Sequence, residues 1–174
     1  MAQERTGVIT MKGNPMTLLG PELKVGDKAP DFELVNQGLE IINLSSSKGK
    51  VRLMAAVPSL DTPVCAVETK RFAQEIAKLP ANVEFYTISS DLPFAQKRWC
   101  GAENVSVTTL SDHRNLSFAE NYGVLIKELR IFARAMFVVD ANDTISYVQI
   151  VPEIAEEPDY DKALQAAQQA AGAG

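Results

Sequence analysis

Apolar and polar residues follow two periods along this chain, and the switches between them predict alternating strands and helices. Val8-Ile9-Thr10-Met11 and Met16-Thr17-Leu18-Leu19 flank Lys12-Gly13-Asn14-Pro15, the pattern of a β-hairpin with a Gly-Asn turn. A loop runs from Pro21 to Pro30, and Asp31-Phe32-Glu33-Leu34-Val35 then alternates as a half-exposed strand does. Leu39 to Leu44 reads as a further short strand. Ser45 to Lys50 reads as a loop, without the Gly-x-x-x-x-Gly-Lys pattern that cradles phosphate. Val51 to Val57 is apolar throughout except for Arg52, as in a buried parallel strand.

From 63 to 79 the period changes to that of a helix. Cys65, Thr69, Phe72, Ile76 and Leu79 fall on one side of it, so Cys65 begins the inward face. Val83 to Ser89 is the next strand. A short helix opens at Asp91 or Pro93, runs to Trp99-Cys100 and is expected to stop at Gly101. Val107 to Leu110 predicts a strand, and Leu116 to Tyr122 a short helix closed by Gly123. Ala133 to Val139 and Thr144 to Ile150 predict a strand pair joined at Asp140-Ala141-Asn142-Asp143. A terminal helix spans Glu156 to about Ala170. Strands alternating with helices, closed by a hairpin, predict an α/β sandwich.

A length of 174 residues is that of one domain with room for a proper core. A formal net charge of −5 and the lack of any basic cluster interleaved with aromatics argue against nucleic acid as a partner. The first six residues carry no apolar stretch of the signal-peptide kind, and no window approaches the roughly 18 apolar residues of a membrane span. A cytoplasmic location is the resulting expectation. Two cysteines in such a compartment seldom form a structural staple. One histidine and two cysteines 35 positions apart show no metal-ligand spacing, so neither a metal nor another cofactor is expected.

Cys65 carries the candidate chemistry. It lies in Pro58-Ser59-Leu60-Asp61-Thr62-Pro63-Val64-Cys65, where Thr62 is a preferred helix cap and Pro63 suits the first helical position. The thiol then falls at the third helical position, where free N–H groups and the positive end of the helix dipole favour a thiolate. A buried strand followed by a turn places it at a strand's carboxyl end, where open α/β sheets put their functional crevices. Reaction of a thiol with an O–O bond also needs donors to hold the two oxygens and restraint of water. Thr62 offers a hydroxyl, and the rigid ring of Pro58 can roof the site. Arg134 interrupts an apolar strand, so it either points outward or meets an anion. Cys100 is either a packed residue beside Trp99 or a second thiol able to attack oxidised Cys65. That attack requires Cα atoms within roughly 7 Å, hence local unwinding of helix. His113 reads as a solvated loop residue, Trp99 as packing, and Glu153 to Asp159 as an acidic solvated run.

These residues match a family. Pro58 to Cys65 resembles the peroxiredoxin signature Pro-x-x-x-Thr-x-x-Cys, and Asp61-Thr62-Pro63-Val64-Cys65 with Thr69 and Phe72 resembles its bacterial thiol peroxidase subfamily. Ser90 to Gln96, Cys100-Gly101-Ala102-Glu103, Ala133-Arg134-Ala135, the amino-terminal hairpin and Glu157 to Tyr160 extend the resemblance over essentially the whole chain. It implies a thioredoxin-like fold in one domain, 1–174, with residues up to about 20 as a hairpin extension. It also implies a thiol-dependent peroxidase in antioxidant defence, with Cys65 as the peroxidatic thiol and Cys100 as the resolving thiol of a Cys65–Cys100 disulfide. Pro58, Thr62 and Arg134 would complete the peroxide site. Hydroperoxides, with a lean towards the alkyl class, would be the substrates; thioredoxin the reductant; and a homodimer the assembly. Thr87 stands where some members have an extra cysteine. General disulfide exchange ranks low because Ala66-Val67-Glu68 after Cys65 leaves no Cys-x-x-Cys. A redox sensor that hands its oxidation to a partner protein stays open.

Overall fold

The computed structural model describes residues 2–172. Strands β1 (Glu4–Met11) and β2 (Asn14–Leu19) form the expected hairpin, but its two turn residues are Lys12 and Gly13. Both have positive φ, 50° and 80°, the turn whose twist matches that of paired strands. The strands expected at 31–35 and 39–44 shrink to β3 (Leu34–Val35) and β4 (Ile41–Ile42), because Leu44–Ser47 winds into a 3-10 turn. Next come β5 (Val51–Ala56), α1 (Pro63–Glu75), which runs on into a 3-10 turn at Ile76–Lys78, and β6 (Val83–Ser89). Helix α2 (Pro93–Glu103) passes through Gly101 and ends at Asn104, whose left-handed φ of 53° closes it. Gly101 did not stop the helix because a single glycine is tolerated there, whereas the left-handed residue breaks the bonding pattern.

Strand β7 (Thr108–Ser111) precedes α3 (Ser117–Asn121), and β8 (Leu125–Ile126), which periodicity did not reveal, pairs with β2. The pair β9 (Ala135–Val139) and β10 (Ile145–Ile150) follows as expected. The last helix, α4 (Tyr160–Gly172), begins four residues later than predicted.

Seven strands form one sheet in the order β10-β9-β5-β6-β7-β3-β4, parallel across β5, β6 and β7. Alternate residues of the central strands divide between two cores, as the two-residue period of a strand requires. Leu53, Ala55, Met136 and Val138 meet Phe72 of α1 and Ala163, Leu164 and Ala167 of α4. Met54, Ala56, Phe137 and Val139 meet α3 and the inward side of the hairpin, Ile9 and Leu18. The result is the α/β sandwich that the residue pattern predicts. Phe118 anchors the second core, stacked on Tyr122 at 4.3 Å between ring centres and edge-on to Phe32 and Phe137. Arg52, fully buried in β5, is satisfied by the Ser47 hydroxyl, the Leu44 and Asp140 carbonyls and the Asp143 carboxylate.

The hairpin is lashed to the domain where Gly20 and Gly123 meet. Arg5 donates to the carbonyls of Gly20, Pro21 and Gly123. Gly123 has a φ of +67°, and a Cβ there would lie 2.0 Å from the Pro21 carbonyl oxygen. Gly123→Ala is therefore expected to cost roughly 2–5 kcal/mol through left-handed strain and overpacking together. The urea midpoint of unfolding, at unchanged slope, measures it.

Candidate active site

Pairing between β5 and β9 decides what lies near Cys65. Ala56, the last residue of β5, sits opposite Ala135, the first of β9. Arg134 therefore arrives at the carboxyl end of β5, where the chain turns through Pro58 and Thr62 into α1. It stands just before its strand rather than within it.

Thr62 is the helix cap in backbone terms: its φ and ψ are extended and its carbonyl accepts from the Ala66 N–H at 3.0 Å. Its hydroxyl departs from expectation. It donates to the Ser59 carbonyl at 2.9 Å and makes no cap bond, so it braces the turn instead of the helix. Pro58 is buried at the head of that turn. Asp91 holds the same turn from the other side, accepting from the Ser59 hydroxyl, the Leu60 N–H and the Ser89 hydroxyl at 2.8–2.9 Å.

Cys65 is completely buried, and its Sγ accepts from Arg134 Nη1 at 3.3 Å. The guanidinium has met an anion: the same Nη1 lies 2.5 Å from Glu68 Oε2, and Glu68 is likewise fully buried. Arg134 Nε donates to the Ile154 carbonyl at 3.0 Å. Sequence reasoning missed Glu68. The signal was its position three residues after Cys65 and four before Phe72, an acid on the inward side of an amphipathic helix. Burial pushes the Glu68 carboxyl up to about 7, against the pull of Arg134. Burial also works against the Arg134 charge, but Glu68 and Cys65 outweigh it and hold the guanidinium above its ordinary range. Glu68 Oε1 is buried without a hydrogen-bond partner among the described residues.

Cys100 lies inside α2 rather than at its end and is 8% exposed. Its Sγ accepts from Gln37 Nε2 at 3.6 Å, and the same amide donates to the Thr109 hydroxyl at 2.7 Å. Burial pushes the Cys100 thiol up, and the Gln37 amide opposes that shift. Both cysteines are free thiols within one apolar cluster that includes Val57, Leu60 and Trp99, so Trp99 packs as expected. His113 is half-buried and 3.0 Å from the Ser111 hydroxyl, more sheltered than the predicted solvated position. Among the described residues no group of three or more His, Cys, Asp or Glu is placed to hold a metal ion.

The buried pair changes what Arg134 substitutions report. Removing the arginine alone leaves a buried carboxyl group without its partner, so Arg134→Met is expected to cost about 3–5 kcal/mol, and adding Glu68→Met to recover most of it. Denaturant unfolding of both variants measures this. Glu68 also predicts a pH dependence. The folded carboxyl keeps its proton between the ordinary value of 4.5 and about 7, where the unfolded one has lost it. Stability therefore falls as pH rises through that window, and Glu68→Gln flattens the dependence of the urea midpoint.

The comparisons with known proteins agree with this geometry. The Redoxin family model matches residues 24–164. Thiol peroxidases from Halalkalibacterium halodurans and Bacillus subtilis are 56% and 52% identical to the chain, covering 93% and 91% of it and 98% and 95% of the relatives. The structure of a peroxiredoxin-like protein from Aquifex aeolicus superposes with a TM-score of 0.88 at 45% identity, over 95% of this chain and 97% of that one. A thiol peroxidase from Chromobacterium violaceum, 22% identical with a TM-score of 0.79 over 92% and 95%, shares the fold. With a family match across most of its length and relatives more than half identical, the chain belongs to the Redoxin family, as a peroxiredoxin of the thiol peroxidase group.

Proposed function

We propose that Cys65 is the peroxidatic thiol through which this thiol-dependent peroxidase reduces hydroperoxides, that Cys100 is the resolving thiol, and that the two join in a disulfide reduced by thioredoxin. The observation that carries the reading is the Arg134 guanidinium 3.3 Å from the Cys65 sulfur in a site without solvent exposure. A charged donor there faces the sulfur and can also hold peroxide oxygens.

In the first step the Cys65 thiolate attacks the terminal peroxide oxygen. An S–O bond forms, the O–O bond breaks, and the departing hydroxide or alkoxide takes a proton to leave as water or alcohol. Cys65 is left as sulfenic acid. The Cys100 thiolate then attacks that sulfur; an S–S bond forms, and hydroxide leaves and is protonated to water. A thioredoxin dithiol finally reduces the disulfide and is itself oxidised. Pro58 roofs the site in this reading. Thr62 acts through the turn it braces, with its hydroxyl oxygen still able to accept a hydrogen bond.

The chain works as one thioredoxin-like domain extended by its hairpin, in the cytoplasm, as a homodimer. Leu92 and Phe94, 52% and 64% exposed at the start of α2, supply apolar surface for such an assembly. No helix among the described residues is long and apolar enough to cross a membrane. For a lean towards alkyl hydroperoxides, the groove beside the start of α1 offers apolar surface from Pro63, Val64, Val67 and Ala155, with Glu156 and Glu157 completing its lining.

Intact mass after one equivalent of alkyl hydroperoxide tests the assignment. The wild-type chain is expected to lose two hydrogens and both free thiols. Cys100→Ser is expected to gain one oxygen and lose recycling by thioredoxin, and Cys65→Ser to stay unoxidised. Full thioredoxin-dependent turnover by the Cys100→Ser protein would sink the intramolecular disulfide.

A further inference from the structure

Two features stand outside the mechanism so far: the amino-terminal hairpin and the acidic segment that opens at Glu153. The structure joins them directly behind Arg134. Glu153 does not belong to a solvated run. Its Oε1 accepts from the N–H groups of Lys12 at 2.9 Å and Ala155 at 3.3 Å. Its Oε2 accepts from the Thr10 hydroxyl at 2.6 Å and the Gly13 N–H at 3.1 Å. Lys12 and Gly13 are the hairpin turn, and their successive positive φ values aim two neighbouring N–H groups at one carboxylate. The Thr10 hydroxyl first, then the turn N–H groups, hold the Glu153 carboxyl well below the usual carboxylate range.

Backbone bonds continue the junction. Thr10 N–H donates to the Pro152 carbonyl at 2.7 Å, and Ile154 N–H donates to the Thr10 carbonyl at 3.0 Å. The Ile154 carbonyl is the acceptor for Arg134 Nε. A guanidinium is planar, so fixing its Nε–H direction fixes where Nη1 points. Residues 152–155 lie outside helix and paired strand apart from a single bridge between Thr10 and Glu153; the hairpin holds them through Thr10, Lys12 and Gly13, alongside the buried Ile154 side chain and the preceding Val151 N–H bond to the Arg134 carbonyl.

We propose that Glu153, clasped by the hairpin turn, is a positioning residue for peroxide reduction: it sets the Ile154 carbonyl and through it the aim of Arg134 at the Cys65 sulfur. The hairpin thereby becomes an outer wall of the active site. This rests on the reading of Cys65 as the peroxidatic thiol.

The test separates the two chemical steps in the full-length protein. Reduced wild type, E153Q, T10V and T10S are mixed with excess hydrogen peroxide, quenched in acid at successive times, and sorted by intact mass into reduced, singly oxygenated and disulfide forms. In E153Q an amide N–H2 group faces the turn N–H donors, and oxidation of Cys65 is expected to slow ten- to a hundredfold. T10V is expected to slow it less, and T10S to restore it. Conversion of the sulfenic acid to disulfide, which does not use Arg134, is expected to keep its wild-type rate in all four. Wild-type oxidation rates in E153Q and T10V would overturn the proposal. Equal slowing of both steps would also overturn it, since a general loosening does not single out one of them. Should E153Q fail to fold, the contrast of T10V with T10S decides alone. A wild-type protein left unoxidised at Cys65 would instead refute the underlying reading.

Discussion

One nitrogen atom, Arg134 Nη1, touches both a sulfur and a carboxylate in a region that excludes water, and much of the molecule is arranged around that contact. A charge taken out of water is tolerated only where partners replace its hydration. Here three partners come from two parts of the chain: Cys65 and Glu68 from one side of α1, and the Ile154 carbonyl from the segment after β10. Each is useful only if β9 delivers Arg134 to the end of β5, which its antiparallel register with β5 does. The sheet order, the amphipathic face of α1 and the hairpin contact with Glu153 are thus linked through one guanidinium.

The second thiol lives under a different constraint. Cys100 sits in an intact helix that packs Trp99 and Cys100 against the same cluster as Cys65. The proposed disulfide joins residues of two helices, and local opening of α2 would let the thiols meet. A helix of three turns, closed by a single left-handed asparagine, can open at modest cost because its stability comes mainly from packing. Asp91 fastens the turn before Cys65 to the approach to α2, so the two cysteine-bearing segments share one hydrogen-bonded junction while both thiols are reduced.

Much of this was legible in the residue pattern. The strand Val51–Ala56, the helix beginning at Pro63 and the closing pair β9 and β10 all lie close to where periodicity puts them, because each carries a dense apolar face. Apart from helix ends and the hairpin turn, the failures were short or edge elements. Leu39 to Leu44 is not a strand along its length, and β8 is too short to show a period; tertiary contacts define both. Glu68 was readable in principle, as an acid placed among inward positions. Glu153 was not, since its acidic neighbours made a solvated stretch the simplest reading of the local composition.

By itself the sequence determined the candidate nucleophile and its local setting: a thiol in the first turn of a proline-started helix after a buried strand, a matter of residues adjacent in the chain. It also posed the question of Arg134 without answering it. Only the tertiary structure decided that the arginine faces Glu68 and Cys65, that the Thr62 hydroxyl serves its own turn, and that a hairpin from the far end of the chain stands behind the site. Those outcomes depend on strand register and on hydrogen bonds between residues as far apart as Lys12 and Glu153. No local pattern encodes such pairings; they are fixed when the whole core packs and every buried polar group must find a partner.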